Sequence, residues 1–218
     1  MEGATDLSRE IWEIMRKLRG DEIELQIAFQ CAPLITGLKE SNLLNIKKQD
    51  YQRMKDIFKE SELTIYPLGI HAGKITVFLY HRERLEKFFS GESVLALLHE
   101  IGYIDTDLKQ VLPVFRTHYQ QYLKEKKVFP HEMGLLLGYP PEDVKGFIRN
   151  QGKNYLYSGY WKVYDRPHEK IRLFKKYEHS REKLIQLLSY GMRIEEIIAI
   201  CSNTEIWQLV DCDCQYAS

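Results

Sequence analysis

The hydrophobic positions change period several times along the 218-residue chain, and each change marks an expected element. Leu7, Ile11, Ile14, Met15 and Leu18 fall on one helical stripe that Gly20 ends, which predicts an amphipathic first helix. From Glu22 onward, Ile23, Leu25, Ile27, Phe29 and Cys31 alternate with Glu24, Gln26, Ala28 and Gln30, as in a half-buried strand. A helix also satisfies this stretch, because no β-branched run decides it. Pro33 and Gly37 break whatever precedes them. A loop then carries Lys39, Ser41 and Asn42, and a helix is expected from about Lys48 to Lys59.

Leu63 to Ile70 and Ile75 to Tyr80 are apolar, β-prone runs on either side of His71-Ala72-Gly73-Lys74, which reads as a hairpin with glycine at positive φ. Helical spacing follows over Arg82 to Gly102 and Asp105 to Lys126, with Asp105 or Thr106 as the cap of the second. Phe129-Pro130-His131-Glu132 starts a short apolar helix closed by Gly138-Tyr139-Pro140, and Pro140-Pro141-Glu142-Asp143 opens another with acids in its first turn. The aromatic stretch from Asn154 to Asp165 predicts a strand. A long charged helix is expected from Pro167 to Tyr190 and a short one from Ile194 to Cys201, before a loosely held tail from Trp207 to Ser218. The fold class is therefore α+β: a small mixed or antiparallel sheet of about four strands, including the hairpin near residues 63–80, packed against several helices. The chain reads as one domain over residues 1–218, with 191–218 as a helical C-terminal extension.

Hydrophobic residues at 44% and charged residues at 28% imply a packed core. Lys plus Arg (31) equals Asp plus Glu (31), so no net field draws the chain to nucleic acid or an acidic membrane. Four scattered cysteines and an N-terminus without signal-peptide order suggest reducing cytoplasm. No apolar run approaches the roughly 18 residues of a spanning helix, so no membrane insertion is expected.

His131-Glu132 fails as a zinc-peptidase motif because position 135 is Leu, and His99-Glu100 fails because position 103 is Tyr. Cys212-Asp213-Cys214 is too tightly spaced for a zinc knuckle and has no second pair beside it, so it reads as two incidental thiols. No metal site is expected. Cys31 stands beside a Pro-containing loop, where a cation such as Lys39 can tune a thiol into a nucleophile or soft ligand. The competing reading is a core thiol without function. The aromatics from Tyr155 to Tyr164, interspersed with Lys153, Lys162 and Arg166, suit stacking on a flat ligand, or packing on a helix. Neither a Walker A run nor G-x-G-x-x-G is present.

The stretch FPHEMGLLLGYPPEDVKGFIRNQGKNYLYSGYWKVYD, residues 129–165, resembles the central motif of a bacterial, largely clostridial, domain-of-unknown-function family, number 3793. Cys31-Ala32-Pro33-Leu34, Gly37-Leu38-Lys39 and Asn42-Leu43 are similar to its N-terminal motif, so the resemblance covers about residues 22–190. It supplies positions and no chemistry, and the cofactor stays unknown. Among those positions, Cys31, Lys39, His131, Glu132, Trp161, Lys162 and Tyr164 are the ones that packing alone explains least.

The expectation drawn from these residues is a pocket where the Cys31 to Asn42 loop meets the Phe129 to Glu132 segment and the Gly159 to Tyr164 strand. Cys31, His131 and Glu132 are its candidate catalytic residues. Lys39, Asn42, Tyr139, Trp161, Lys162 and Tyr164 are its candidate binding residues for a small anionic or aromatic ligand. The catalytic version needs Cys31 within hydrogen-bonding reach of His131. A protein-interaction or regulatory role is the alternative, and haem or iron handling through Cys31, a His or a Tyr is a further one.

Overall fold

A computed structural model describes residues 22–125, 129–203 and 207. The helix expected over Leu7 to Leu18, most of the tail from Trp207 and the Cys212/Cys214 pair lie outside the described residues.

The centre is a three-stranded antiparallel sheet with order β1-β3-β2, where β1 is Ser41–Lys47, β2 is Leu63–His71 and β3 is Lys74–His81. Helices cover both faces. β3 reads as an apolar run from Ile75 to Tyr80, interrupted at Thr76, because its side chains alternate into two cores. Val77 and Leu79 join Leu44 and Ile46 on one face. There they pack beneath α1 (Glu22–Ile35), α2 (Tyr51–Ile57), α8 (Pro167–Ser189) and α9 (Ile194–Ser202). Phe78 and Tyr80 point the other way, into a core closed by α3 (Arg82–Phe89), α4 (Glu92–Glu100), α5 (Leu108–Glu125), α6 (Met133–Leu136) and α7 (Pro141–Arg149). A third, aromatic cluster joins α8 to a two-stranded ribbon of β4 (Tyr157–Ser158) and β5 (Lys162–Val163). No helix among the described residues is long and apolar enough to cross a membrane.

The hairpin forms where expected, and Ala72 joins Gly73 at positive φ, as a two-residue turn matched to strand twist requires. Leu68 is the extra residue of a bulge between Pro67 and Gly69, and Pro67 is tolerated because β2 is an edge strand.

Four expectations are corrected. The segment from Glu22 is a helix, not a strand. Ile23, Ile27 and Cys31 satisfy a period of two and a period of four alike, and Ala28, Ala32, Leu34 and Ile35 complete the buried helical face. The expected loop at Ser41 and Asn42 is the start of β1, whose edge position accommodates polar side chains. The helix from Arg82 to Gly102 is two helices parted at Ser90-Gly91. The aromatic stretch is a hairpin rather than one strand, turning at Gly159, which abuts the Phe174 ring. At the start of α5, Asp105 accepts from the N–H of Asp107, and Asp107 rather than Thr106 accepts from that of Lys109.

Candidate functional site

Residues 129–165 wrap into a small unit whose turns are set by Pro and Gly. Gly138 ends α6 in the left-handed conformation (φ 70°), and Tyr139 N–H bonds back to Gly134 O at 2.9 Å. Pro141 then opens α7 with its φ already helical. The tie across the unit is Asp143, 1% exposed. It accepts from Trp161 Nε1 at 2.8 Å, from the Tyr164 N–H at 2.7 Å and from the Asp165 N–H at 3.1 Å. A buried carboxylate is tolerable because its charge meets three donors.

Close packing completes the tie. A Cβ on Gly146 would overlap the base of the Tyr164 side chain, which the Asp143 bond holds in place. Gly146→Ala is expected to lower stability by about 1–3 kcal/mol through overpacking, exceeding the roughly 1 kcal/mol that alanine gains in a helix. Urea unfolding of the two proteins checks the sign.

Trp161 stacks on Tyr139 at 4.7 Å and meets Phe174 edge-on at 4.6 Å. This pair walls a cleft of about 290 Å³ between α6, α7 and the ribbon. Phe129, Met133, Leu137, Val144 and Phe147 supply most of its apolar lining, and His131 and Lys162 supply polar groups. His131 lies beside the rings of Phe129 (5.8 Å) and Phe147 (6.1 Å), and its Nδ1 is buried with no hydrogen-bond partner. Lys162 Nζ donates to Gly152 O at 2.6 Å and sits over the rings of Tyr155 and Phe147. Burial pushes the Tyr139 phenol up to about 12, so it is a neutral donor.

Of the nine predicted residues, the cleft thus gathers His131, Tyr139, Trp161 and Lys162. Lys39 adjoins it indirectly, with Nζ 5.4 Å from the centroid of the Tyr139 ring. Lys39 is 7% exposed, and burial pulls its ammonium down to about 8, against the opposing pull of Cys31 and Glu40. Cys31 is elsewhere. It is fully enclosed in the core under α1, with Asn42 Nδ2 at 3.5 Å from Sγ. Burial pushes its thiol up to about 12, outweighing the Asn42 amide and Lys39. The structure does not bring Cys31 to His131, and the paired nucleophile and base find no geometry here. Asn42 ties β1 to α1 through Gln30 O at 2.9 Å. Tyr164 lies against α7 at Gly146 and does not line the cleft. Glu132, 5% exposed, is engaged by Tyr103 Oη and His118 Nδ1. Among the described residues, no group of three or more His, Cys, Asp or Glu side chains is placed to hold a metal ion.

Asp143, Phe147 and Tyr160 belong to the site but were not among the nine candidate residues. Asp143 was legible only as a first-turn helix acid, since nothing local marks a carboxylate whose donors lie 18 to 22 residues away. Tyr160 falls within the aromatic stretch read as suited to stacking or to packing on a helix, and nothing local to Phe147 marks it as a cleft residue.

A family model described as "Protein of unknown function (DUF3793)" matches residues 27–198. No curated protein and no solved structure matches the chain.

Proposed function

The chain belongs to the DUF3793 family, and from that premise we propose that it binds a small molecule with a flat apolar body and one anionic group. The observation that carries this reading is the aromatic cleft with an unpartnered buried imidazole nitrogen and a lysine at its wall. An apolar lining with few, convergent polar groups is the usual make-up of a ligand site. The volume, about 290 Å³, suits a one- or two-ring compound. Its ring would lie against the Tyr139–Trp161 stack, His131 Nδ1 would take a hydrogen bond from it or donate one, and Lys162 would meet the anion. Lys162 forms no ion pair among the described residues, which leaves its charge for a ligand. A cytoplasmic location fits the free thiol of Cys31.

A protein partner is the second reading. Tyr155, Leu156 and Tyr157 are three consecutive exposed apolar side chains, at 45%, 63% and 39%, on the approach to β4.

Native mass spectrometry of freshly purified protein beside a denatured control tests the first reading. Added mass is expected on the native wild type. Lys162→Ala should weaken its retention by about tenfold or more, the loss of one charge-assisted hydrogen bond. An apo-protein that also binds none of a panel of one- and two-ring aromatic carboxylates and phosphates, followed by Trp fluorescence, would overturn it. So would added mass unchanged in both Lys162→Ala and His131→Ala.

A further inference from the structure

A second cleft, of about 390 Å³, lies on the other side of the Phe129-His131 segment, against α5. His118, Gln121, Tyr122 and Glu125 line it from α5, and Glu132 closes its base. His118 Nδ1 is 2.7 Å from Glu132 Oε1, and Tyr103 Oη donates to the same oxygen from 3.1 Å. The carboxylate is nearly sealed, with its side chain 7% exposed, whereas that of His118 is 47% exposed. One partner is anchored and the other is open.

The chemistry follows from donor and acceptor counts. A carboxylate only accepts hydrogen bonds, so the proton between the two is on Nδ1, and in the neutral imidazole the lone pair is then on Nε2 of His118. Burial and the neighbouring Glu132 push the Tyr103 phenol up, which keeps it a hydrogen-bond donor to Glu132 at all ordinary pH. Two donors on one oxygen, from α5 and from the turn after α4, fix the carboxylate and through it the imidazole plane. The Tyr103 ring also meets the imidazole edge-on, with centroids 6.2 Å apart. A clamp that only joined α5 to the 129–137 segment would be served by a neutral pair, without placing a charge at 5% exposure.

We infer that the second cleft is an acid–base site in which His118 is the base and Glu132 its positioning residue. Its substrate is a hydroxyl compound, or water, that must lose a proton to react. The substrate O–H bond breaks, the proton forms a bond to Nε2, and the electron pair stays on the oxygen. Glu132 keeps its charge and faces the imidazolium. The reading is independent of a ligand in the first cleft.

Diethyl pyrocarbonate, which acylates unprotonated imidazole nitrogen, probes this in the intact chain, with all seven histidines resolved by peptide mapping. His71 and His168, both exposed, are internal controls. The titratable groups facing His118 are Glu132, Tyr103, Tyr122, Glu125 and His131. At pH 9, where ordinary imidazole is unprotonated, His118 is expected to react faster than the exposed His71, because the Glu132 acceptor on Nδ1 makes Nε2 the stronger nucleophile. In Glu132→Gln that advantage should vanish, with His71 and His168 unchanged. Rates at His118 equal to the controls in the wild type overturn the inference, as does an advantage that survives Glu132→Gln. If the variant does not fold, the wild type decides alone: the advantage must disappear in denaturant.

Discussion

Asp143→Ala is expected to lower unfolding stability by about 4 kcal/mol, because it strands one buried and two part-buried donors at once and a buried one costs roughly 1–3 kcal/mol unpaired. For a chain of this size that corresponds to a melting-temperature fall on the order of 10 °C. The loss has a second part. Among the described residues, Trp161 Nε1 is held through this carboxylate alone, and the indole is the face on which Tyr139 stacks. Freed from Asp143, the Trp161 ring no longer has a fixed plane, and the wall of the first cleft goes with it. Asp143→Asn separates the effects. An amide oxygen can still accept from the Tyr164 and Asp165 N–H groups, while its NH2 faces the indole N–H donor to donor. The Asn variant should therefore recover about half of the stability, yet bind a cleft ligand as poorly as the Ala variant. Thermal unfolding and Trp-fluorescence titration report the two quantities separately. Full stability in Asp143→Ala would show that the three bonds do not carry the fold of this unit.

The sequence revealed the elements more readily than the contacts between them. Hairpin β2–β3, helices α5 to α9 and the Gly138-Tyr139-Pro140 corner each rest on local chemistry: alternation, caps, and residues whose φ is restricted or unusually free. Where a local pattern admitted two periods, as at Ile23, Ile27 and Cys31, the deciding information was the Ala28 and Ala32 face, buried in the core beside α8. β1 escaped notice because its Ser and Asn residues are typical of turns, and only pairing with β3 makes SNLLNIK a strand.

The site divides in the same way. His131, Tyr139, Trp161 and Lys162 come from one contiguous motif and converge. The partnership expected between Cys31 and His131 spans two motifs, and the fold keeps its members apart, burying the thiol in the core that α1 shares with α8 while the imidazole lines the cleft. Glu132 was legible as a candidate, but its partner was not. His118 belongs to α5, where its neighbours are unremarkable, and only the packing of the 129–137 segment on α5 creates the pair.

Lys39→Met is expected to stabilise the protein at pH 7 by about 2 kcal/mol, raising the melting temperature by roughly 5 °C. The ammonium is held at about 8 instead of 10.5, a difference worth about 3 kcal/mol of desolvation, less about 1 kcal/mol returned by the Tyr139 ring. The pH dependence follows. Between pH 8 and 10.5 the unfolded chain carries a proton on Lys39 that the native state has released, so stability climbs with pH across that window. Cys31 acts oppositely. Its thiol stays protonated to about 12 in the native state but ionises near 9.0 when unfolded, so stability falls from pH 9 upward. The net climb is therefore confined to pH 8 to 9, and Lys39→Met should abolish it while leaving the alkaline fall. Urea unfolding at half-unit steps from pH 7 to 10 should show the climb from pH 8 to 9 and then a plateau in the wild type, where the two effects cancel, and a fall from pH 9 in the variant; a variant less stable than wild type at pH 7 would refute the argument. A cation retained against that cost, in contact with the ring that walls the cleft, is what a binding site demands and a core does not. Lys39→Met should then be the more stable protein and the weaker binder, whereas a variant that gains stability and keeps full affinity would assign Lys39 to the core alone.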